Sequence, residues 1–133
     1  MNQRIEEKLE LQKSEYIPFI KWLFKRNAKF LYPERLICSR YFDTHNLRML
    51  KDTLEGILPR KKIRIRTYGC DEFEESNSYS LEIKLSREND RFKKIEKDIN
   101  RLFYEKNGIY DSNYGISFPV IDISYKREYF ILD

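Results

Sequence analysis

Apolar and charged positions alternate along several stretches of this chain, and the alternation predicts its elements. Residues 3–11 set Arg4, Glu6, Lys8 and Glu10 against Ile5, Glu7, Leu9 and Leu11, a strand pattern with one fully charged face. Ser14 offers a helix start. Tyr16, Ile17, Ile20, Leu23 and Phe24 then recur at helical spacing to about Ala28, with Pro18 near the first turn, where a missing N–H is tolerated. That broad apolar stripe predicts a helix laid over a sheet. A second strand is expected over residues 36–42. Asp43 or Thr44 then caps a short helix carrying Leu47, Leu50 and Leu54, stopped by Gly56 and followed by Pro59.

The third predicted strand, from Arg60 to Cys70, is the most informative. Lys62, Arg64 and Arg66 point one way and Ile63 and Ile65 the other, so successive cations stand about 6.6–7 Å apart on one face. Of the opening cluster, only Lys62 is taken as in phase with Arg64 and Arg66; Arg60 and Lys61 read as a solvated loop end. Asp71 to Asn77 reads as an acidic polar turn. A fourth strand runs from Tyr79 to Arg87, with Leu81, Ile83 and Leu85 on one face and Ser80, Glu82, Lys84 and Ser86 on the other. Residues 91–99 fit a fifth strand, although Phe92, Ile95 and Ile99 also fit a helix. Asn100 to Pro119 reads as a helical turn followed by a long loop, and residues 120–132 as a last strand. The fold class is α+β, dominated by antiparallel strands.

Composition narrows this picture. A chain of 133 residues reads as one domain, 1–133, and 41% hydrophobic with 15% aromatic residues argues against disorder despite 36% charged. The net charge of +4, from 26 basic and 22 acidic residues, is small for a general nucleic-acid binder, so the placement of the charges matters more than their sum. Cys38 and Cys70 have no metal-ligand spacing and read as two thiols in a reducing compartment. Met1 to Lys13 is too charged for a signal peptide. The most apolar stretch, Tyr16 to Tyr32, is broken by Lys21, Lys25, Arg26 and Lys29, so no membrane span and a cytoplasmic protein are expected.

Strand after strand thus carries an ionic face: Arg4, Glu6 and Lys8, then Lys62, Arg64 and Arg66, then Glu82 and Lys84. Two arrangements stay open. The sheet can keep its charged face in water and its apolar face under helices. Alternatively it curls with the charges inward, around a polyanion gripped by Lys and Arg and a Mg2+ or Mn2+ ion held by carboxylates. His45 reads as a surface or capping residue, and Tyr125, Tyr129 and Phe130 as sheet packing. Single-stranded RNA binding ranks last, because the face of Arg64 and Arg66 offers Tyr68 and little other aromatic surface.

Several motifs in order, Arg4-x-Glu6-x-Lys8-x-x-Leu11, Arg40-Tyr41-Phe42-Asp43 leading to Leu54-Glu55-Gly56, Lys62-x-Arg64-x-Arg66-x-Tyr68-Gly69, Leu81-Glu82-Ile83-Lys84 and Tyr125-x-Arg127-x-x-Phe130, resemble the VTC domain. This is the polyphosphate polymerase domain of the CYTH-like triphosphate tunnel superfamily. The resemblance implies an antiparallel β-barrel or tunnel with covering helices. By position it implies that Lys8, Arg64, Arg66, Lys84 and Arg127 line the tunnel as catalytic cations. Lys62 joins them on the phosphate, Lys93 or Lys94 adds one more cation, and Glu6 and Glu82 help hold Mn2+ or Mg2+. It further implies ATP or inorganic polyphosphate as ligand, with transfer of the ATP γ-phosphate to a growing chain. The family pattern continues past the Tyr-x-Arg-x-x-Phe strand, so the barrel is expected to be incomplete at its C-terminal side: a fragment of a longer protein, a barrel closed by a second copy or a partner chain, or one that has lost activity. The alternative function is a non-catalytic module that senses or scaffolds a polyanion.

Overall fold

The structure is a computed structural model that describes residues 6–69, 73 and 77–132. Arg4, Cys70 and the predicted acidic turn, apart from Phe73 and Asn77, lie outside the described residues. The chain divides into two compact units, residues 6–34 with 128–132, and residues 35–127.

In the first unit, residues 6–12 form no strand, against the expectation from their alternation, and all are exposed. Glu7 interrupts the apolar row there, and a strand needs a packed neighbour more than it needs a pattern. A 3-10 turn, Lys13–Glu15, leads into α1, Tyr16–Lys25, with Pro18 in its first turn as predicted. Asn27 adopts φ +62, and the amides of Asn27 and Ala28 donate to Phe24 O and Leu23 O at 3.1 Å each. These bonds close the helix as a Schellman motif, with Leu23 and Ala28 buried together beneath it. Much of the α1 stripe stays exposed, although Phe24 meets Phe30 and Phe130 edge-on at 5.7 and 5.9 Å.

The strands are β1 (Lys29–Asp43), β2 (Arg60–Tyr68), β3 (Ser80–Ser86), β4 (Arg91–Glu96), β5 (Ile109–Asp111) and β6 (Gly115–Ile131), and the helices after α1 are α2 (Arg48–Glu55) and α3 (Arg101–Asn107). They form a six-stranded sheet in the order β4-β3-β2-β1-β6-β5. The pairs β1–β2, β2–β3, β3–β4 and β5–β6 are antiparallel. Arg40 reaches Asp122 while Cys38 reaches Ser124, so β1 and β6 run antiparallel as well. β4 and β5 end the sheet, which makes an α+β half-barrel rather than a closed tunnel. No helix among the described residues is long and apolar enough to cross a membrane.

Two strand expectations change. β1 begins at Lys29 rather than Leu36, because pairing to β2 starts only at Ile37 and Pro33 therefore meets no ladder on that side. The predicted helical turn after Asn100 is α3, and the long loop expected after it is instead the β5–β6 hairpin. Asn100 caps α3 by accepting from Phe103 N, and Gly108, at φ +79, turns the chain into β5 where a Cβ would lie 2.8 Å from Ser117 O. Asp111 Oδ2 then accepts from the amides of Asn113 and Tyr114 and folds the hairpin turn. Residues 91–96 resolve as strand.

The apolar face packs Phe42, Ile63, Ile65 and Leu81 against Met49 of α2, Tyr79, Ile109 and Tyr114. Asp43 fixes this helix. Its buried carboxylate accepts from the amides of Thr44 and Met49 through Oδ1 at 2.7 and 3.0 Å, and from Leu50 through Oδ2 at 3.1 Å. Thr44 Oγ1 takes the amide of Arg48 at 3.0 Å, so both predicted caps act, on successive amides. Gly56, at φ +68, ends the helix as expected. Asp43→Ala leaves three amides without their acceptor and is expected to cost about 2 kcal/mol in urea unfolding, with Asp43→Asn costing roughly half as much. Equal midpoints for Asp43→Ala and the parent chain would show that water caps α2 as well as the carboxylate does.

Candidate functional site

Opposite the apolar core, the register lines up polar side chains in rows across β1, β2, β3 and β4. Arg66 lies between Ser39 and Ser80, and Arg64 between Tyr41 and Glu82, with Ile95 beyond. Lys62 faces Lys84, which faces Lys93. Period-two alternation sends all of these to the face away from Ile63 and Ile65, as the sequence predicts for Lys62, Arg64 and Arg66.

The middle of this face is buried and ionic. Arg64, Arg66 and Glu82 are 6%, 4% and 2% exposed, so each charge must be answered by a partner. Glu82 Oε1 accepts from Arg64 Nη2 at 2.7 Å and from Nε at 3.2 Å, and lies 3.2 Å from Lys93 Nζ and 3.9 Å from Arg66 Nη1. Arg64 Nη1 also donates to Tyr41 OH at 3.2 Å. Arg66 Nε donates to Ser39 Oγ at 2.8 Å and its Nη2 to Tyr125 OH at 3.3 Å. Burial alone would raise the Glu82 carboxyl, but the hydrogen bonds and charge of Arg64, then those of Lys93, hold it below the ordinary value. Burial likewise opposes the charge on Arg64, and Glu82 and Tyr41 outweigh it, so the guanidinium titrates above its usual range.

One carboxylate thus serves three cations, and the rim is more positive still. Lys84 loses part of its hydration and also feels Arg64, Lys93 and Arg66, so its ammonium falls to a pKa of about 8 despite the nearby Glu82. Lys62 is exposed beside it. Lys93 is the cation of the 93–94 pair that joins this face; Lys94 pairs with Ile83 and projects from the opposite one. Arg127 Nη2 donates to Tyr125 OH at 2.9 Å, the same hydroxyl that Arg66 uses, which links it to the site through one tyrosine.

Glu6 and Lys8 belong to the other unit, on exposed chain outside any helix or strand. Among the described residues no three His, Cys, Asp or Glu side chains gather to hold a metal ion, and Glu82 is already ringed by cations. The described residues therefore form no all-protein cage for Mn2+ or Mg2+, octahedral ions that keep several waters among their six ligands.

Some contributors escape the sequence pattern. Tyr41 and Tyr125, expected as packing if at all, place their hydroxyls on the two buried arginines. The signal was the shared parity of Tyr125 with Arg127 and of Tyr41 with Ser39. Arg60 is a correction: β2 starts at Arg60, which is therefore in phase with Lys62, Arg64 and Arg66.

No curated protein and no solved structure matches the chain. The family model of the VTC domain matches residues 3–117, from the charged N-terminal segment through β1 to β5 and into β6, and stops before Tyr125 and Arg127. Because that match takes in most of the sequence, the strands that build the charged face among it, the chain belongs to the VTC domain family.

Proposed function

We propose that the charged face binds a chain of phosphates, as inorganic polyphosphate or the triphosphate of ATP. The observation that carries this is the cross-strand row Lys62–Lys84–Lys93 above the buried Arg64–Glu82–Arg66 cluster, where cations outnumber the carboxylate that answers them. An anion with many oxygens relieves that excess. Arg64 and Arg66 supply planar forks held in place by Glu82, Tyr41, Ser39 and Tyr125, and the three lysines supply point charges.

The family is associated with polyphosphate polymerase. On this reading the face positions the growing chain against ATP. A terminal chain oxygen attacks the γ-phosphorus, the bond from that phosphorus to the bridging oxygen breaks, and ADP leaves with the electron pair. Such a transfer needs alignment and charge neutralisation rather than covalent catalysis. A divalent cation enters with the phosphates, held by their oxygens and water, since the described side chains form no cage. The ion pairing of Glu82 favours a second reading, in which the face binds a polyanion without turnover.

Calorimetry with tripolyphosphate is expected to show binding that weakens as salt rises, and Arg64→Gln with Arg66→Gln to abolish it. No heat at low salt in the parent protein would refute the binding. Incubation with ATP and Mn2+ separates the two readings, since acid-labile polymer forms only under the first.

The proton on Lys84 gives a second test. Bound phosphate raises its pKa, so binding takes up a proton above about pH 8, and affinity falls as pH rises through that value. Tripolyphosphate affinity is expected to drop about tenfold between roughly pH 7.5 and 9.5, and Lys84→Met to bind more weakly with little change across that window. The same slope in parent and variant would show that Lys84 does not face the ligand.

A further inference from the structure

The cationic face continues one row past Lys62, Lys84 and Lys93. Arg60 pairs with Ser86 and Ser86 with Arg91, two residues further along each strand and on the same face. Neighbouring strands lie about 4.7–4.9 Å apart, so the two arginines flank a small serine at roughly 10 Å from each other. A cavity of about 430 Å³ opens at this end, lined by Leu58, Arg60, Ser86, Arg91 and the turn between β3 and β4.

The charges of that turn are mostly settled among themselves. Arg87 donates to both oxygens of Asp90 at 2.8 and 2.9 Å and lies 4.3 Å from the Phe92 ring. Arg60 and Arg91 have no such partner: neither forms an ion pair or a side-chain hydrogen bond among the described residues, and Arg60 is half-buried. Glu88 is the carboxylate that remains in the lining against these two guanidinium groups. A partly desolvated guanidinium without a counter-charge is costly, and it becomes favourable beside a bound anion.

We propose that Arg60, Ser86 and Arg91 form a second phosphate subsite, continuous with the first, that grips the part of a polyphosphate chain a triphosphate does not reach. This rests on the binding reading of the charged face. From Arg66 to Arg60 the face runs six residues, about 20 Å of strand. Each P–O–P step advances less than one strand residue, so three phosphates cover only part of that track. Phe92 belongs to the opposite face, by its pairing with Leu85, so no stacking platform beside Ser86 favours nucleic acid over a bare phosphate chain.

The test compares tripolyphosphate with a defined oligophosphate long enough to span both rows, on the parent protein, on Arg60→Gln with Arg91→Gln, and on Lys94→Gln. Lys94 shares β4 but faces away, so its variant controls for loss of charge alone. The parent is expected to bind the longer chain about tenfold more tightly, a difference near 1.4 kcal/mol. The arginine pair is expected to erase that preference while leaving tripolyphosphate affinity within about twofold, and Lys94→Gln to keep it. Equal affinity of the parent for both lengths, retention of the preference in the arginine pair, or equal competition by a single-stranded oligonucleotide would overturn the subsite. Failure of the parent to bind tripolyphosphate at all would instead overturn the reading of the whole face. Thermal melts of the variants identify any that fail to fold, and single substitutions at Arg60 and at Arg91 then take their place.

Discussion

The buried carboxylate of Glu82, held between Arg64 and Lys93 with Arg66 close by, is the interaction on which the charged face depends. Two guanidinium groups almost out of water in the middle of a sheet would not survive without an anion among them. Glu82 provides one negative charge and also fixes the Arg64 fork; Tyr41, Ser39 and Tyr125 take up further N–H groups. The protein therefore neutralises part of the cluster and leaves the rest. A buried ion pair is weak evidence for stability but good evidence for rigidity, since removing either partner strands the other. What results is a set of cations fixed in direction before any ligand arrives.

Alternation in a single strand joins this face to the core. In β1, Ser39 and Tyr41 meet Arg66 and Arg64 on one side, while Phe42 packs with Ile63 and Met49 on the other. The same strand ends in Asp43, whose carboxylate holds the first turn of α2. Arg40, on the core side, forms a two-pronged bond to Asp122 of β6 and pairs with Glu105 of α3. Strand order, helix placement and the aim of the arginines are thus coupled through residues 39–43. A slip of β1 by one residue would turn Tyr41 to the core and Phe42 to the charges, so the register is strongly held.

Local signals were legible in the sequence where one residue decides the outcome. Gly56 takes the left-handed conformation that ends α2, Pro18 sits in a first turn, and Asp43 with Thr44 marks a helix start. The two faces of β2 were legible because isoleucine and basic residues alternate from Lys62 to Arg66. Other features needed tertiary information. Alternation at residues 6–11 looks like a strand, yet the described chain there makes no ladder. β4 carries charges on both faces, so only its pairing with β3 assigns Lys93 to the site and Lys94 away from it. β5 is three residues long and exists because Asp111 folds its turn. Arg60 lies where the pattern alone does not mark the start of the strand, and only its pairing with Ser86 places it in β2.

That last residue changes what kind of ligand the face fits. With Arg60 in phase, cations recur on β2 at Arg60, Lys62, Arg64 and Arg66, about 6.6–7 Å apart, and two of these rows carry further cations across the sheet, at Lys84 and Lys93 and at Arg91. A compact anion would meet one row and leave the others facing water. A repeating row of charges is matched by a repeating ligand, and the match improves with the length of both. The buried pair at the centre cannot shift to follow a small ligand, because Glu82, Tyr41 and Ser39 hold it. The exposed lysines, and the arginines at the hairpin end that have no ion pair among the described residues, lie outside that fixed centre. Fixed forks in the middle and exposed charges beyond them are the arrangement on which the proposed binding of a linear polyanion rests.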